Sequence, residues 1–224
     1  MVRINSKALI VFAKLPLAGS VKTRLTPLLT PEDAAELYRC MLMDTLSKVK
    51  RLADVDISLF FEGGREAASY FEKTSGGMAV FPQRGGDLGE RMMDAFLRTF
   101  EDGHVAVAII GTDSPDLPVS FIEEAFLLLE DPSVDAALGP SEDGGYYLLA
   151  MKRLHEVFFR GIPWSTGEVL ERSLAKAAAG GLTVALLPQW HDVDSEMDLL
   201  RPELRAAGNG APLTRAIIGC LGFN

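Results

Sequence analysis

Cysteine is scarce in this sequence of 224 residues: Cys40 and Cys220 are the only two, far apart and without metal-ligand or redox spacing. That excludes a disulfide scaffold, and their apolar neighbours predict inert, buried thiols in a reducing compartment. Only three histidines occur, and none lies close to another. His191 beside Asp192 and Asp194 therefore lacks the companions that a zinc site needs. Basic charge is in deficit, with 22 Lys and Arg against 31 Asp and Glu and a net charge of −9. That balance opposes general attraction to nucleic acid or anionic lipid, so no nucleic-acid partner is expected. No apolar run approaches the roughly 20 residues that span a bilayer, and Ala8 to Ala13, ended by Lys14, is too short for a signal peptide. A cytoplasmic protein without a membrane span is expected, and the oligomeric state is not readable.

What remains is ordinary globular material, 48% hydrophobic and 24% charged, without repeats, low-complexity tracts or a linker. A single continuous domain over 1–224 fits best, with a core large enough to need no staple. The charge is unevenly placed. Residues 1–31 hold Arg3, Lys7, Lys14, Lys22 and Arg24 and no acid, which leaves −14 on the rest. A local cationic segment on an acidic protein suggests a small anionic ligand, with phosphate the first candidate.

Short apolar runs alternate with segments of helical period. Strands are predicted at Lys7 to Ala13, Asp56 to Phe61, Met78 to Phe81, Val105 to Ile110, Val134 to Leu138 and Leu182 to Leu187. Val105 to Ile110 is apolar throughout, as in a strand sandwiched between helix layers. A helix is predicted after Thr30, an N-cap followed by Pro31 and Asp33. Others are predicted at Asp87 to Phe100, Pro118 to Leu129, Thr166 to Ala179 and Ser195 to Ala206. Repeated strand and helix imply a mostly parallel sheet in three layers, with ligands at the carboxyl ends of the strands.

That address selects the candidate residues. The loop after the first strand carries Lys14, Gly19, Lys22 and Arg24, suited to a diphosphate, yet it is neither a P-loop nor a GxGxxG turn. After Val105 to Ile110 comes Gly111-Thr112-Asp113-Ser114-Pro115-Asp116-Leu117-Pro118, readable as a turn or as carboxylates for a divalent cation. A second carboxylate cluster, Asp192-Val193-Asp194 through Asp198, favours the metal reading, which requires Asp194 to meet Asp113. Asp194 could equally cap the helix at Ser195. In Asp143-Gly144-Gly145-Tyr146-Tyr147 the glycines let backbone approach a ligand, or form a hairpin turn. Trp164, before a helix capped by Ser165 or Thr166, either packs the core or covers a substrate.

Taken in order, these segments, with Gln83-Arg84-Gly85-Gly86-Asp87-Leu88-Gly89-Glu90-Arg91-Met92 and Pro163-Trp164-Ser165-Thr166, resemble the GT-A type of nucleotide-diphospho-sugar transferase. They resemble in particular a bacterial family of small glycosyltransferase-like proteins related to phospholactate guanylyltransferase-like proteins. The resemblance covers roughly residues 7 to 205. It implies nucleotide contacts from Lys14, Lys22, Arg24, Gln83, Gly89 and Arg91, and substrate contacts from Gly144, Gly145, Trp164 and Ser165. Asp113 stands in the place of the acidic metal motif, with Asp194 as the second carboxylate for Mg2+ or Mn2+. The spacing Asp113-Ser-Pro-Asp116 departs from Asp-x-Asp and counts against Asp116 as a ligand. Asp113 and Asp143 are the catalytic candidates, Asp143 as a base toward an acceptor hydroxyl or as a binder of sugar hydroxyls. The implied ligand is a nucleotide sugar or a nucleoside triphosphate. Glycosyl transfer is expected, with nucleotidyl transfer to a phosphorylated small molecule and non-catalytic nucleotide binding as the alternatives.

Overall fold

The computed structural model describes residues 5–223, which leaves Arg3 of the basic segment outside the described residues. In chain order the elements are β1 (Lys7–Lys14), α1 (Pro31–Val49), β2 (Val55–Glu62), α2 (Arg65–Thr74), β3 (Ala79–Pro82), α3 (Leu88–Glu101), β4 (Ala106–Ile110) and α4 (Val119–Leu128). They continue with β5 (Ala136–Pro140), β6 (Tyr146–Met151), α5 (Val169–Ala179), β7 (Val184–Leu186), α6 (Glu196–Leu199), α7 (Pro202–Arg205) and α8 (Pro212–Cys220). The strands form one sheet in the order β3-β2-β1-β4-β6-β5-β7. Every pairing is parallel except those of β6 with β4 and with β5. The carboxyl ends of six strands therefore share one edge, and β6 starts from that edge.

Alternation along the strands explains the layers. In β1, Leu9, Val11 and Ala13 face one core with Leu42 and Leu46 of α1, Phe71 of α2 and Phe126 of α4. Ala8 and Ile10 face the other, with Met92 and Phe96 of α3 and Ala177 of α5. β4 lies between β1 and β6 with every residue buried, so the expected three-layer α/β arrangement is present. A smaller cluster seats the far side of α1, through Leu37 and Met41, against Leu25, Val193, Leu199, Leu204 and Ile218.

Thr30 caps α1 by accepting the Asp33 N–H at 3.1 Å, with Pro31 in the first turn. Other expectations need correction. Residues 143–147 turn a hairpin whose return strand, β6, was not anticipated, and neither α2 nor α8 was. The fifth strand is Ala136–Pro140 rather than Val134 to Leu138. The helix placed at Thr166 begins at Val169, and neither Ser165 nor Thr166 caps it. Thr166 Oγ1 instead donates to the Pro163 carbonyl at 2.7 Å. The helix placed at Ser195 to Ala206 is two short pieces, because Arg201 before Pro202 adopts an extended backbone. Cys40 is buried as expected, but Cys220, on the last turn of α8, is exposed. Among the described residues no helix is long and apolar enough to cross a membrane.

Candidate functional site

The loop after β1 is pinned at both sides of Lys22. Val21 packs on Ala35 and Tyr38, and Leu25 sits in the cluster beneath α1. Between them Lys22 adopts a left-handed backbone, φ 47° and ψ 37°, at the start of a short 3-10 turn, Thr23–Leu25. Its side chain, 3% exposed, runs inward to the ends of β4 and β7. There the ammonium donates to Asp113 Oδ1 and, at 2.8 Å, to Asp194 Oδ1. Arg24 reaches the other oxygen of Asp194 at 3.5 Å and is otherwise in solvent. Burial works against the Lys22 charge, but the two carboxylates outweigh it and raise the pKa above the ordinary lysine range. For Asp113, burial pushes upward and is overcome by Lys22, with Lys14 adding a smaller pull, so that the carboxyl lies below its usual range.

The segment that carries Asp113 is held from several sides. Tyr38 OH accepts the Lys14 N–H at 2.9 Å and lies 2.8 Å from Thr112 Oγ1, which ties the end of β1 to the end of β4. Burial, with Asp113 nearby, pushes that phenol up to about 12, so it remains a neutral hydroxyl. Lys48 of α1 donates to the Pro115 carbonyl at 2.5 Å. The Asp113 carbonyl accepts the Val193 N–H at 2.9 Å. Asp192 accepts from Ser114 Oγ at 2.7 Å and Ser141 Oγ at 2.8 Å, joining the segments after β4, β5 and β7. Burial, aided by Asp113 and Asp143, raises the Asp192 pKa against those hydrogen bonds.

Asp194 is free to face Lys22 because Ser195 and Asp198 make the capping box of α6 without it. Asp116 takes another direction. Its buried carboxylate accepts from Trp190 Nε1 at 3.4 Å, and its other oxygen lies 3.2 Å from His191 Nε2 without hydrogen-bond alignment. Asp116 thus faces Trp190 and His191, whereas Asp113 faces Lys22.

Asp143 sits in the β5 to β6 hairpin, where its Oδ1 accepts the Gly145 N–H at 2.8 Å. Gly144, at φ +86°, packs against the backbone of Gly167. Beside this hairpin opens a cleft of about 220 Å3, lined by Arg24, Ser141, Glu142, Asp143, Asp192, Asp194, Asp198 and Arg201. Arg201 is held by Glu142 at 2.6 Å and Asp198 at 3.0 Å.

Lys22, Arg24, Asp113 and Asp194 thus come together, and Asp143 lines the adjoining cleft with Arg24 and Asp194. Lys14, Gln83 and Arg91 gather farther along the sheet edge. Arg91 pairs with Glu62 at 2.7 Å, Lys14 stands 3.9 Å from the same carboxylate, and Gln83 Nε2 donates to the Phe60 carbonyl at 3.0 Å. Gly89 faces inward, where a Cβ would lie 2.4 Å from the Phe159 carbonyl oxygen and 2.6 Å from Trp164 Nε1. Trp164 packs edge-on to Tyr146 at 6.3 Å, in the core shared by α3 and α5. Ser165, at φ +65°, is exposed on the loop that follows. Ser114, Ser141, Glu142 and Arg201 were not singled out from sequence, and Asp192 entered only as part of the second carboxylate cluster. A hydroxyl beside an acid just after a strand is the signal that could have found the two serines, while Arg201 carries none.

Among the described residues no group of three or more His, Cys, Asp and Glu side chains is arranged to hold a metal ion. Two carboxylates sharing one cation nevertheless suit Mg2+, which commonly takes one or two protein carboxylates and completes its shell with phosphate and water. The Lys22 ammonium marks where positive charge is stabilised between them.

Residues 45–166 match the family described as "Uncharacterized protein conserved in bacteria (DUF2064)", and the chain belongs to that family. It is similar, at 32% identity over 97% of this chain and 98% of the other, to a "putative nucleotide-diphospho-sugar transferase" from Desulfovibrio desulfuricans G20, with a TM-score of 0.86. More distant structures share the fold. The inositol-1-phosphate CTP transferase from T. maritima is 16% identical, with 96% and 97% of the two chains covered and a TM-score of 0.53. The 4-diphosphocytidyl-2C-methyl-D-erythritol synthase of Anaerococcus prevotii DSM 20548 is 11% identical, with 96% and 98% covered and a TM-score of 0.56. No curated protein matches.

Proposed function

We propose that the protein is a transferase that binds a nucleotide-diphospho-sugar with Mg2+ or Mn2+ and passes the sugar to an acceptor hydroxyl. The observation that carries this reading is the polarity of the site. Cations of the β1 loop meet Asp113 and Asp194 at the sheet edge, and Asp194 and Arg24 also line a cleft that holds four further acidic residues and Arg201. Lys14, Lys22 and Arg24 suit a diphosphate. The cleft suits an acceptor rich in hydroxyls, because carboxylates accept hydrogen bonds from hydroxyls and repel a phosphorylated acceptor. That charge balance favours sugar transfer over nucleotidyl transfer to a phosphate ester.

Asp113 and Asp194 would hold the metal, which when bound neutralises charge on the departing diphosphate. The chain's own groups do the rest. Lys22 and Arg24 bind and orient phosphate oxygens, and Asp143 takes the proton of the acceptor hydroxyl as its oxygen bonds to the anomeric carbon and the bond to the diphosphate breaks. Asp192, held by its two serines, keeps the Asp113 and Asp143 segments in register.

The test is incubation with a panel of nucleotide sugars and Mn2+, followed by detection of nucleoside diphosphate, released slowly by hydrolysis when no acceptor is present. Asp113→Asn should lower the rate at least about a hundredfold, the scale of losing a group that stabilises transition-state charge. Pyrophosphate release from a nucleoside triphosphate given phosphorylated acceptors, with no turnover of nucleotide sugars, would replace this reading with nucleotidyl transfer. Tight nucleotide binding without either reaction would favour a binding protein.

A further inference from the structure

We infer that Lys22 is an exchangeable counter-ion: its ammonium excludes a divalent cation from Asp113 and Asp194 until a diphosphate draws it away, so that metal and nucleotide bind as a coupled pair. This rests on the metal reading of the same site. Lys22 is placed for the task by its backbone as well as its charge. It is one of three non-glycine residues at positive φ among the described residues, and Val21 and Leu25 are buried on either side of it. The side chain is thereby committed to a buried path that ends between the carboxylates. Each carboxylate gives one oxygen to the same ammonium, in the region where a dication would have to sit.

An ammonium and a dication repel, and two carboxylates cannot neutralise both at once. Entry of the metal therefore requires Lys22 to find another anion. The β1 loop, where Lys14 and Arg24 are the other cations, is where a diphosphate would supply one. Lys22 would then move from carboxylate to phosphate as the metal takes its place, so that the dication faces the two carboxylates and the ammonium faces the diphosphate. Because linkage is reciprocal, the factor by which diphosphate tightens metal binding must equal the factor by which metal tightens diphosphate binding. An apoprotein with this device holds little metal, and the carboxylates keep a cation between them in its absence.

The experiment is a titration of the 224-residue protein with Mn2+ alone, following the free-ion signal by electron paramagnetic resonance, for the wild type, Lys22→Met and Lys22→Met with Asp113→Asn. The wild type should bind Mn2+ weakly. Lys22→Met should bind it about tenfold tighter or more, within the roughly 5 to 150-fold range usual for coupled sites, and Asp113→Asn should abolish the gain. Inorganic pyrophosphate should strengthen Mn2+ binding to the wild type. If the wild type binds Mn2+ alone as tightly as Lys22→Met, and Asp113→Asn removes that binding, the exchange is overturned and the metal reading stands. If no variant binds Mn2+ with or without pyrophosphate, the metal reading falls and the exchange with it. Lys22→Gln, checked by its thermal transition, replaces Lys22→Met should the latter not fold.

Discussion

Gly144→Ala should be among the more damaging single-methyl additions to this protein, and its cost can be worked from the structure. Gly144 has φ +86°, and a Cβ there would stand 2.1 Å from the carbonyl oxygen of Gly167, 2.7 Å from its carbon and 2.9 Å from its Cα. All three contacts are with backbone, so no side chain can turn aside. Left-handed backbone costs a non-glycine residue about 1–2 kcal/mol. Pushing two backbone segments apart adds about 1–3 kcal/mol, the usual scale of overpacking. The expected loss is about 2–5 kcal/mol, a large share of the roughly 5–15 kcal/mol that stabilises an ordinary domain. Gly19→Ala is the control, because Gly19 has φ +76° with nothing within 4 Å of a Cβ, and so should lose only the backbone contribution. Urea unfolding of both variants at pH 7 measures the difference. A Gly144→Ala loss within about 0.5 kcal/mol of that for Gly19→Ala would refute the argument that the hairpin and the 163–167 loop are locked at this contact.

Burial pushes the Lys48 ammonium down to about 8, against the opposing pull of Asp116 and Asp44. Between that value and the unfolded value near 10.4 the unfolded chain holds more protons, so stability should rise with pH. The rise should be about 1 kcal/mol between pH 7 and 9 relative to Lys48→Met, and unfolding curves of equal slope for the two proteins would contradict it. Asp44, buried on α1, accepts the N–H groups of Leu213 and Thr214 at 3.2 and 2.7 Å and the Thr214 hydroxyl at 2.8 Å, which caps α8 from another element. Asp44→Ala should cost about 2–4 kcal/mol by leaving these donors unpaired, and should make α8 the first segment cut in limited proteolysis. A cost below about 0.5 kcal/mol would show that water replaces the carboxylate.

The parts of the fold legible in the sequence are those whose burial is periodic. Val105 to Ile110 is apolar at every position because both faces of β4 are covered, and Thr30-Pro31 carries its own cap chemistry. The missed elements lack such local marks. β6 is the exception, since Tyr146–Met151 is an apolar run after an Asp-Gly hairpin signal, and that signal was weighed only as a turn or a ligand loop. α2 buries only Ala67 and Phe71, and α8 only Thr214 and Ile218, which is too narrow a stripe to recognise. The N-terminal support of α8 comes from Asp44, 170 residues away from Thr214 in sequence. The expected burial of Cys220 failed for a related reason: apolar neighbours in sequence do not determine which side of a helix faces water.

For the site, the address was legible and the pairing was not. The strand-end rule selected Lys22, Asp113 and Asp194 separately, because each follows a strand that enters the same sheet edge. Whether they meet depends on the turn of the β1 loop and on which residue caps α6, and neither is encoded by residue type alone. Ser195 and Asp198 complete the capping box, so Asp194 keeps both oxygens for Lys22 and Arg24. Had Asp194 been the cap, Lys22 would have faced Asp113 alone. The three cations of the β1 loop likewise read as one phosphate-binding group, yet they divide into different environments. Lys22 is buried between carboxylates, Arg24 stands in solvent against one of them, and Lys14 lies toward Glu62 and Arg91. A diphosphate entering along this edge would meet Lys14 and Arg24 at once but would have to compete with two carboxylates for Lys22. The residue most closely tied to Asp113 is therefore also the one whose charge a ligand must win from the carboxylates, while Arg24 and Lys14 stand more open to it.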